Sequence, residues 1–392
     1  MTKSKVFFEE LITEIRRIYG SGCVPLHRPV FEGNERRYVV EAIDSNFVSS
    51  VGARVDEFER RVAAFTGSAW AVATVNGTSA LHVALELADV QRGDEVISQA
   101  LTFVATCNAI SYRGARPVFV DVDLDTMGMS PSALREWLQV NTLLQEGQCC
   151  NRQTGARIRA CVPMHTFGLP CRVQEIVDVC QEFGITTIED AAESLGSYIN
   201  GRHTGTFGRL STLSFNGNKV ITTGGGGMIL TDDEGLAKRA KHLTTTAKVP
   251  HPFEFVHDEV GYNYRMPNLN AALGCAQMEK LPDMLQIKAE VAMSYRNFCE
   301  NHGIAFVTAP ADTQPNYWLN AIILENREER DALLVYANSE GVMMRPIWRL
   351  MNQLEMFKGC QRDRLENSIW LADRVVNLPS CVPDGAMRRF ET

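Results

Sequence analysis

Lys219 lies in the segment Ser214-Phe215-Asn216-Gly217-Asn218-Lys219, between a run of strand character and the glycine tract Gly224-Gly225-Gly226-Gly227. A lysine with its ordinary pKa of about 10.4 is a poor nucleophile at neutral pH, but desolvation or nearby positive charge frees the amine to form a Schiff base. Upstream, Asp190 ends the apolar run Thr187-Ile188-Glu189-Asp190. A buried carboxylate needs a partner, and a protonated pyridine nitrogen there would become part of an electron sink, the pairing that pyridoxal phosphate chemistry requires. Asn76-Gly77-Thr78-Ser79 stands between a strand-like run and a helical one. It forms an anion cradle in which backbone amides and the helix dipole attract phosphate, Gly77 permits close approach, and Thr78 or Ser79 donates a hydroxyl. Phe103, in Ala100-Leu101-Thr102-Phe103, offers a ring to stack on a planar cofactor. Each of these residues also has a plainer role open to it: a solvated loop lysine, helix caps at Asp190 and Asn76, core packing for Phe103.

The elements that must position these residues follow from periodicity. Strand runs are Trp70 to Val75, Glu95 to Ser98, Pro117 to Val122, Ile158 to Met164, Thr186 to Glu189, Leu210 to Phe215 and Met228 to Thr231. Helical spacing appears in Ser79 to Ala88, Thr102 to Tyr112, Pro131 to Leu144 and Val173 to Phe183. Strand then helix, repeated, predicts a mostly parallel sheet covered on both faces, with ligands at the carboxyl ends of its strands. The candidate residues all fall in such turns. Beyond Thr246 a polar stretch leads to a long helix from Asn268 to Phe298. A smaller α+β unit follows, with strands at Phe306, Trp318 to Leu324 and Val342 to Arg345 and a helix from Glu328 to Glu340. The expected division is a helical extension at 1–22, a large unit at 23–257 and a small one at 258–392.

Composition excludes several classes. The 392 residues are 45% hydrophobic and 22% charged, as in folded globular proteins. Lys plus Arg total 39 against 47 for Asp plus Glu, a net charge of −8 with no basic run, so nucleic acid is not an expected partner. The amphipathic N-terminus carries no signal-peptide pattern and no apolar run is long enough to span a membrane. The eleven cysteines include no CxxC pair, which fits reduced thiols in the cytoplasm. Asp121, Asp123 and Asp125 open like a calcium loop, but Thr126 and Ser132 stand where glycine and glutamate are needed, and no metal is expected.

In order, NGTSAL (76–81), TFVAT (102–106), EDAAES (189–194), SFNGNKVITTGGGG (214–227) and GYNYRMPNLNAALG (261–274) resemble the sugar aminotransferases of the DegT/DnrJ/EryC1/StrS family. The resemblance covers nearly the whole chain. It implies fold type I of the pyridoxal phosphate-dependent transferases, like aspartate aminotransferase: a large domain with a mostly parallel seven-stranded sheet plus a small C-terminal α+β domain. It also implies that Lys219 attaches the cofactor and moves the substrate proton, and that Asp190 holds the ring nitrogen. Gly77, Thr78, Ser79, Ser214 and Asn216 would surround the phosphate side, with Phe103 on the ring. Glu193, where many members have Gln, would lie beside the phenolic oxygen. Asn263 would reach the cofactor of a second subunit, implying a homodimer with composite sites, and Arg265 would face the shared site. Substrate contacts are expected from His165, for which a structural role is equally open, and from Tyr317, Trp318, Arg345 and Trp348, where core packing is the plainer role of Trp318.

Pro25-Leu26-His27, Val48-Ser49-Ser50-Val51-Gly52, His165-Thr166-Phe167-Gly168 and the run from His242 to His251 are similar to the LegC-type group. That likeness implies transfer of the amino group of L-glutamate to C4 of a UDP-linked 4-keto-6-deoxy-N-acetylhexosamine, a precursor of legionaminic acid or bacillosamine type sugars in bacterial surface glycans. A GDP- or dTDP-linked keto-sugar, amination at C3, a dehydrase and a cofactor-binding regulator are the rival readings. Lys219 argues against the dehydrase, whose members carry histidine there.

Overall fold

The computed structural model describes residues 3–390. Its central sheet is built from β1 (Trp70–Thr74), β2 (Glu95–Gln99), β3 (Arg116–Val120), β4 (Ile158–Val162), β5 (Thr186–Asp190), β6 (Leu210–Ser214) and β7 (Gly227–Thr231). The spatial order is β1-β7-β6-β5-β4-β2-β3. Pairing is parallel from β6 through β5, β4 and β2 to β3, and antiparallel where β7 meets β1 and β6. The strands read as near-continuous apolar runs because helices cover both faces.

The antiparallel strand has a local consequence. Gly227, at the start of β7, pairs with both Thr74, the end of β1, and Ser214, the end of β6. The glycine tract therefore lies at the same sheet edge as the anion cradle and the lysine loop. Helix α1 is Lys3–Tyr19, α2 Glu35–Asp44 and α3 Ala53–Thr66. The crossovers carry α4 (Gly77–Leu87), α5 (Val104–Tyr112), α6 (Pro131–Asn141) and α7 (Val173–Glu182), and α8 (Glu234–Thr244) follows β7.

Two local expectations are corrected. The helix at Pro131 stops at Asn141, not Leu144, because Thr142–Gln145 pairs with Gln148–Asn151 in a hairpin. Glu146 and Gly147 both take positive φ there (52° and 76°), the geometry of a two-residue hairpin turn. The strand expected at Val342 to Arg345 is shorter and later, Arg345–Pro346, with Val342 making only a bridge to Val24.

The small unit holds β8 (Ala305–Phe306), β9 (Asn320–Ile323), β10 (Arg345–Pro346) and β11 (Val375–Leu378) in the order β8-β9-β11-β10, with α10 (Arg327–Ser339) and α11 (Glu366–Ala372). Helix α1 shares this unit's core: Leu11 and Ile15 are buried with Tyr295, Ile322, Leu333 and Val376. Helix α9 (Asn268–His302) joins the two units, with Ala271 and Cys275 in the large core and Val291, Tyr295 and Cys299 in the small one. Among the described residues no helix is long and apolar enough to cross a membrane.

Gly274 sits inside α9, where alanine normally gains about 1 kcal/mol over glycine. A Cβ at that point would lie 2.7 Å from Phe58 of α3 and 2.8 Å from Thr223. Overpacking of this kind costs about 1–3 kcal/mol, which outweighs the gain in helix propensity. Gly274→Ala is therefore expected to lower the melting midpoint by about 2–4 °C in a thermal scan; a rise would show that the α3–α9 contact has slack.

Candidate active site

At the carboxyl edge of the sheet, the turns after β1, β2, β5 and β6 enclose a cleft of about 280 Å³. Asn76 caps α4 by accepting the Ser79 N–H at 2.8 Å. Helix geometry leaves the Gly77 and Thr78 N–H groups without an intrahelical acceptor, and both residues line the cleft. A Cβ on Gly77 would stand 3.0 Å from the Ser214 Cβ, so a larger residue here would push back the end of β6.

Asp190 closes the floor. Its carboxylate accepts the Thr106 hydroxyl at 2.6 Å and the Ala192 N–H at 3.2 Å. Among the described residues it has no ion-pair partner, and burial raises its pKa against those two hydrogen bonds and the more distant Lys219 charge. A carboxylate so placed, facing a cavity, is the receptor for a cationic N–H.

Opposite it, Lys219 Nζ lies 3.3 Å from Glu193 Oε1 and 3.9 Å from the ring centroid of Trp318. The Trp318 indole N–H donates to the Asn218 carbonyl at 2.6 Å, tying the ring to the lysine loop. Burial pushes the Glu193 carboxyl up to about 7, with the Lys219 charge opposing. Phe103 is half exposed at the entrance, and Trp348 stands beside it with ring centroids 6.4 Å apart. Behind Trp318, Lys288 of α9 is buried; its ammonium donates to the Trp318 and Ser380 carbonyls and meets His27 Nε2 at 3.1 Å. Burial pushes that amine down to about 7.

Thus Lys219, Asp190, Glu193, Gly77, Thr78, Ser214, Asn216, Phe103, Trp318 and Trp348 converge on one cleft. Others of the expected set do not. Ser79 is committed to the cap, with only its N–H on Asn76. His165 is fully buried, its Nε2 3.0 Å from Glu189 and its Nδ1 accepting the Cys171 N–H, and it does not line the cleft. Glu189 stays below the usual carboxylate range despite burial because His165 and backbone N–H groups of Gly205 and Gly208 donate to it. Arg265 turns to Glu59 and Asp56 of α3 instead of the cleft. Asn263 is exposed and reached only through a backbone bridge to Thr245. Tyr317, with φ of 49°, and Arg345, exposed on β10, do not line the cleft.

Sequence reasoning passes over Thr106 and Asn316. Thr106 stands in the first turn of α5 and closes the TFVAT motif, which was its signal. Asn316 donates to the Glu193 and Leu195 carbonyls at 2.8 and 2.9 Å across 123 and 121 residues, and nothing local announces it.

The model of the DegT/DnrJ/EryC1/StrS aminotransferase family matches residues 30–384. EpsN of Bacillus subtilis (strain 168), named as a pyridoxal phosphate-dependent aminotransferase, is 34% identical over 362 residues, 92% of this chain and 90% of its own. GDP-perosamine synthase of Escherichia coli O157:H7 is 35% identical over 359 residues, 91% of this chain and 93% of its own. Among solved structures, DesI in the presence of its TDP-sugar product has a TM-score of 0.79 at 26% identity, covering 91% of this chain and 87% of that one. The cofactor of this family fits the cleft: the buried Asp190 has no ion-pair partner among the described residues, and the first N–H groups of α4 and Lys219 line the same space.

Thr106→Val removes one donor to Asp190 without changing side-chain shape. A hydrogen bond to a charged group is worth about 1.5–3 kcal/mol, so pyridoxal phosphate binding is expected to weaken about tenfold or more in an absorbance titration. Unchanged affinity would mean that Asp190 needs no help to stay ionised.

Proposed function

The chain belongs to the DegT/DnrJ/EryC1/StrS aminotransferase family, and on that premise we propose that it moves the amino group of L-glutamate to C4 of a UDP-linked 4-keto-6-deoxy-N-acetylhexosamine. It is a pyridoxal phosphate-dependent sugar aminotransferase. The observation that carries the chemistry is Lys219 poised between Glu193 and Trp318 across the cleft from a buried, cation-free Asp190.

When bound, pyridoxal phosphate supplies the electron sink that carries nitrogen from donor to acceptor. The chain supplies the rest. Asp190 Oδ1 and Oδ2, fixed by Ala192 and Thr106, hold the proton on the ring nitrogen. Gly77 and Thr78 N–H groups and the Ser214 hydroxyl bind phosphate at the helix N-terminus, and Phe103 covers the ring. Lys219 Nζ, once released from covalent attachment, moves the proton at the substrate carbon. Trp318 and Trp348 provide apolar walls that exclude water from that transfer.

Two features support a second copy of the chain in this reading. Lys219 is the one cation lining the cleft among the described residues, so the carboxylate of glutamate and the sugar pyrophosphate call for further positive charge. Asn263 stands exposed on the segment before α9, free to reach a neighbouring subunit. We place the enzyme in the cytoplasm, where its cysteines, free among the described residues, remain reduced. The UDP-linked N-acetylhexosamine is supported by the His27, Val48 to Gly52 and His242 to His251 segments. A GDP-linked keto-sugar is the second reading, favoured by the 35% identity to GDP-perosamine synthase.

The test is a visible spectrum of the loaded protein before and after L-glutamate, followed by each nucleotide keto-sugar, with Lys219→Ala alongside. Glutamate should bleach the band and the UDP-linked sugar should restore it. Recovery with the GDP-linked sugar alone would establish the second reading. Lys219→Ala is expected to bind the cofactor without covalent attachment and to lose turnover by about three orders of magnitude or more; near-normal turnover would sink the assignment.

A further inference from the structure

Glu193 is the acidic side chain in contact with Lys219 among the described residues, and it is held from three directions. Its Oε1 is 3.3 Å from Lys219 Nζ. Its Oε2 accepts the Phe167 N–H at 2.9 Å. Its backbone carbonyl accepts the Asn316 amide at 2.8 Å. The carboxylate is 5% exposed.

The Phe167 contact is bought with strain. Phe167 is a buried, non-glycine residue at φ 59° and ψ 13°, a left-handed conformation that persists only where its surroundings over-determine it. Gly168 follows at φ 87°, and a Cβ there would overlap Asn316 Oδ1. The turn thus aims one N–H at one carboxylate oxygen and leaves the other oxygen facing Lys219. A glutamine in the same place has one acceptor oxygen: with that oxygen on the Phe167 N–H, its NH2 would face the Lys219 ammonium donor against donor, and it could not exchange a proton.

The charged and titratable groups facing this pair are few. Asp190 lies beside Glu193 and, like burial, favours the protonated carboxyl. His27, on the segment before α2, faces Lys219 and is kept neutral by burial with Lys288 beyond it. With its pKa pushed up to about 7, Glu193 is balanced to hold a proton near neutral pH.

We propose that Glu193 is a second catalytic acid–base group, which takes the proton of the Lys219 ammonium and later returns it. In the forward step an N–H bond of Lys219 breaks, its electron pair stays on Nζ, and an O–H bond forms on Oε1. The lysine is left as the free amine that a substrate carbon requires. The reverse step restores the ion pair, so protons balance over a cycle with no other reactant. The pairing explains why a carboxyl group is buried here: it accepts from Phe167 and Lys219 at once and can also take a proton, which an amide cannot do.

The test compares wild type with Glu193→Gln. In the apoprotein, the pH profile of Lys219 acylation by acetic anhydride is read by mass spectrometry of its peptide. Loss of the anion is expected to lower the labelling midpoint by about one pH unit, a tenfold change in proton affinity. In the loaded enzyme, kcat is expected to fall about 10²-fold with KM changed less than about threefold. Either readout unchanged overturns the proposal, and a Glu193 that only neutralises the ammonium would move the labelling midpoint while leaving kcat unchanged. If the variant does not fold, wild type decides: its labelling profile should show a second ionisation near pH 7, and a single lysine-like titration overturns the proposal. The kinetic readout rests on the aminotransferase reading, whereas the apoprotein labelling needs no substrate, so the two can fail separately.

Discussion

A carboxylate taken out of water with no cation beside it is unstable by several kcal/mol unless something in the structure answers its charge. Asp190 is such a group, and the large unit is arranged around it. The parallel strands bring β5 to the centre of the sheet, where its carboxyl end is buried on both sides. Thr106 of α5 and the Ala192 N–H hold the carboxylate in place but do not neutralise it. The neutralising charge has to come from the cleft. A ring whose nitrogen keeps its proton meets that need and, by the same contact, becomes electron-poor.

The other charges follow from this placement. An anionic group on the ligand must lie away from Asp190, and the N-terminus of α4 stands on the far wall with its Gly77 and Thr78 N–H groups unpaired. β7 runs against its neighbours, which returns Gly226 and Gly227 to this edge and keeps side chains out of the space between cradle and lysine. Lys219 then sits between a carboxylate that accepts its proton and an indole face that favours its cationic form.

Much of this was legible in sequence because it is local. Asn76 to Ser79, Asp190 and Lys219 each occupy a turn directly after an apolar strand run, and a parallel sheet collects such turns at one edge. Other features were not legible because their causes lie far along the chain. Arg265 reads as a site residue until Glu59, 206 residues earlier, claims its guanidinium. His165 ends a strand as a ligand would, yet Glu189 and the Cys171 N–H use both of its ring nitrogens. Phe167 takes a left-handed conformation without being glycine, so no residue type announces the turn that aims at Glu193. The early end of α6 is the opposite case: Glu146-Gly147 is a hairpin signal that helical periodicity overrode.

The segment from Asn316 to Trp318 belongs in sequence to the small unit but is bonded to the large one. Asn316 grips the Glu193 and Leu195 carbonyls, Trp318 reaches Asn218, and Lys288 suspends the Trp318 carbonyl from the helix common to both units. Swinging the small unit away would break the Asn316 and Trp318 bonds and strip buried polar groups of both units at once. A hinge between the units would have to break these bonds before it could open. The aromatic pair at the mouth, the half-exposed Phe103 and the partly buried Trp348, is the part of the wall that can move without giving up one of these bonds.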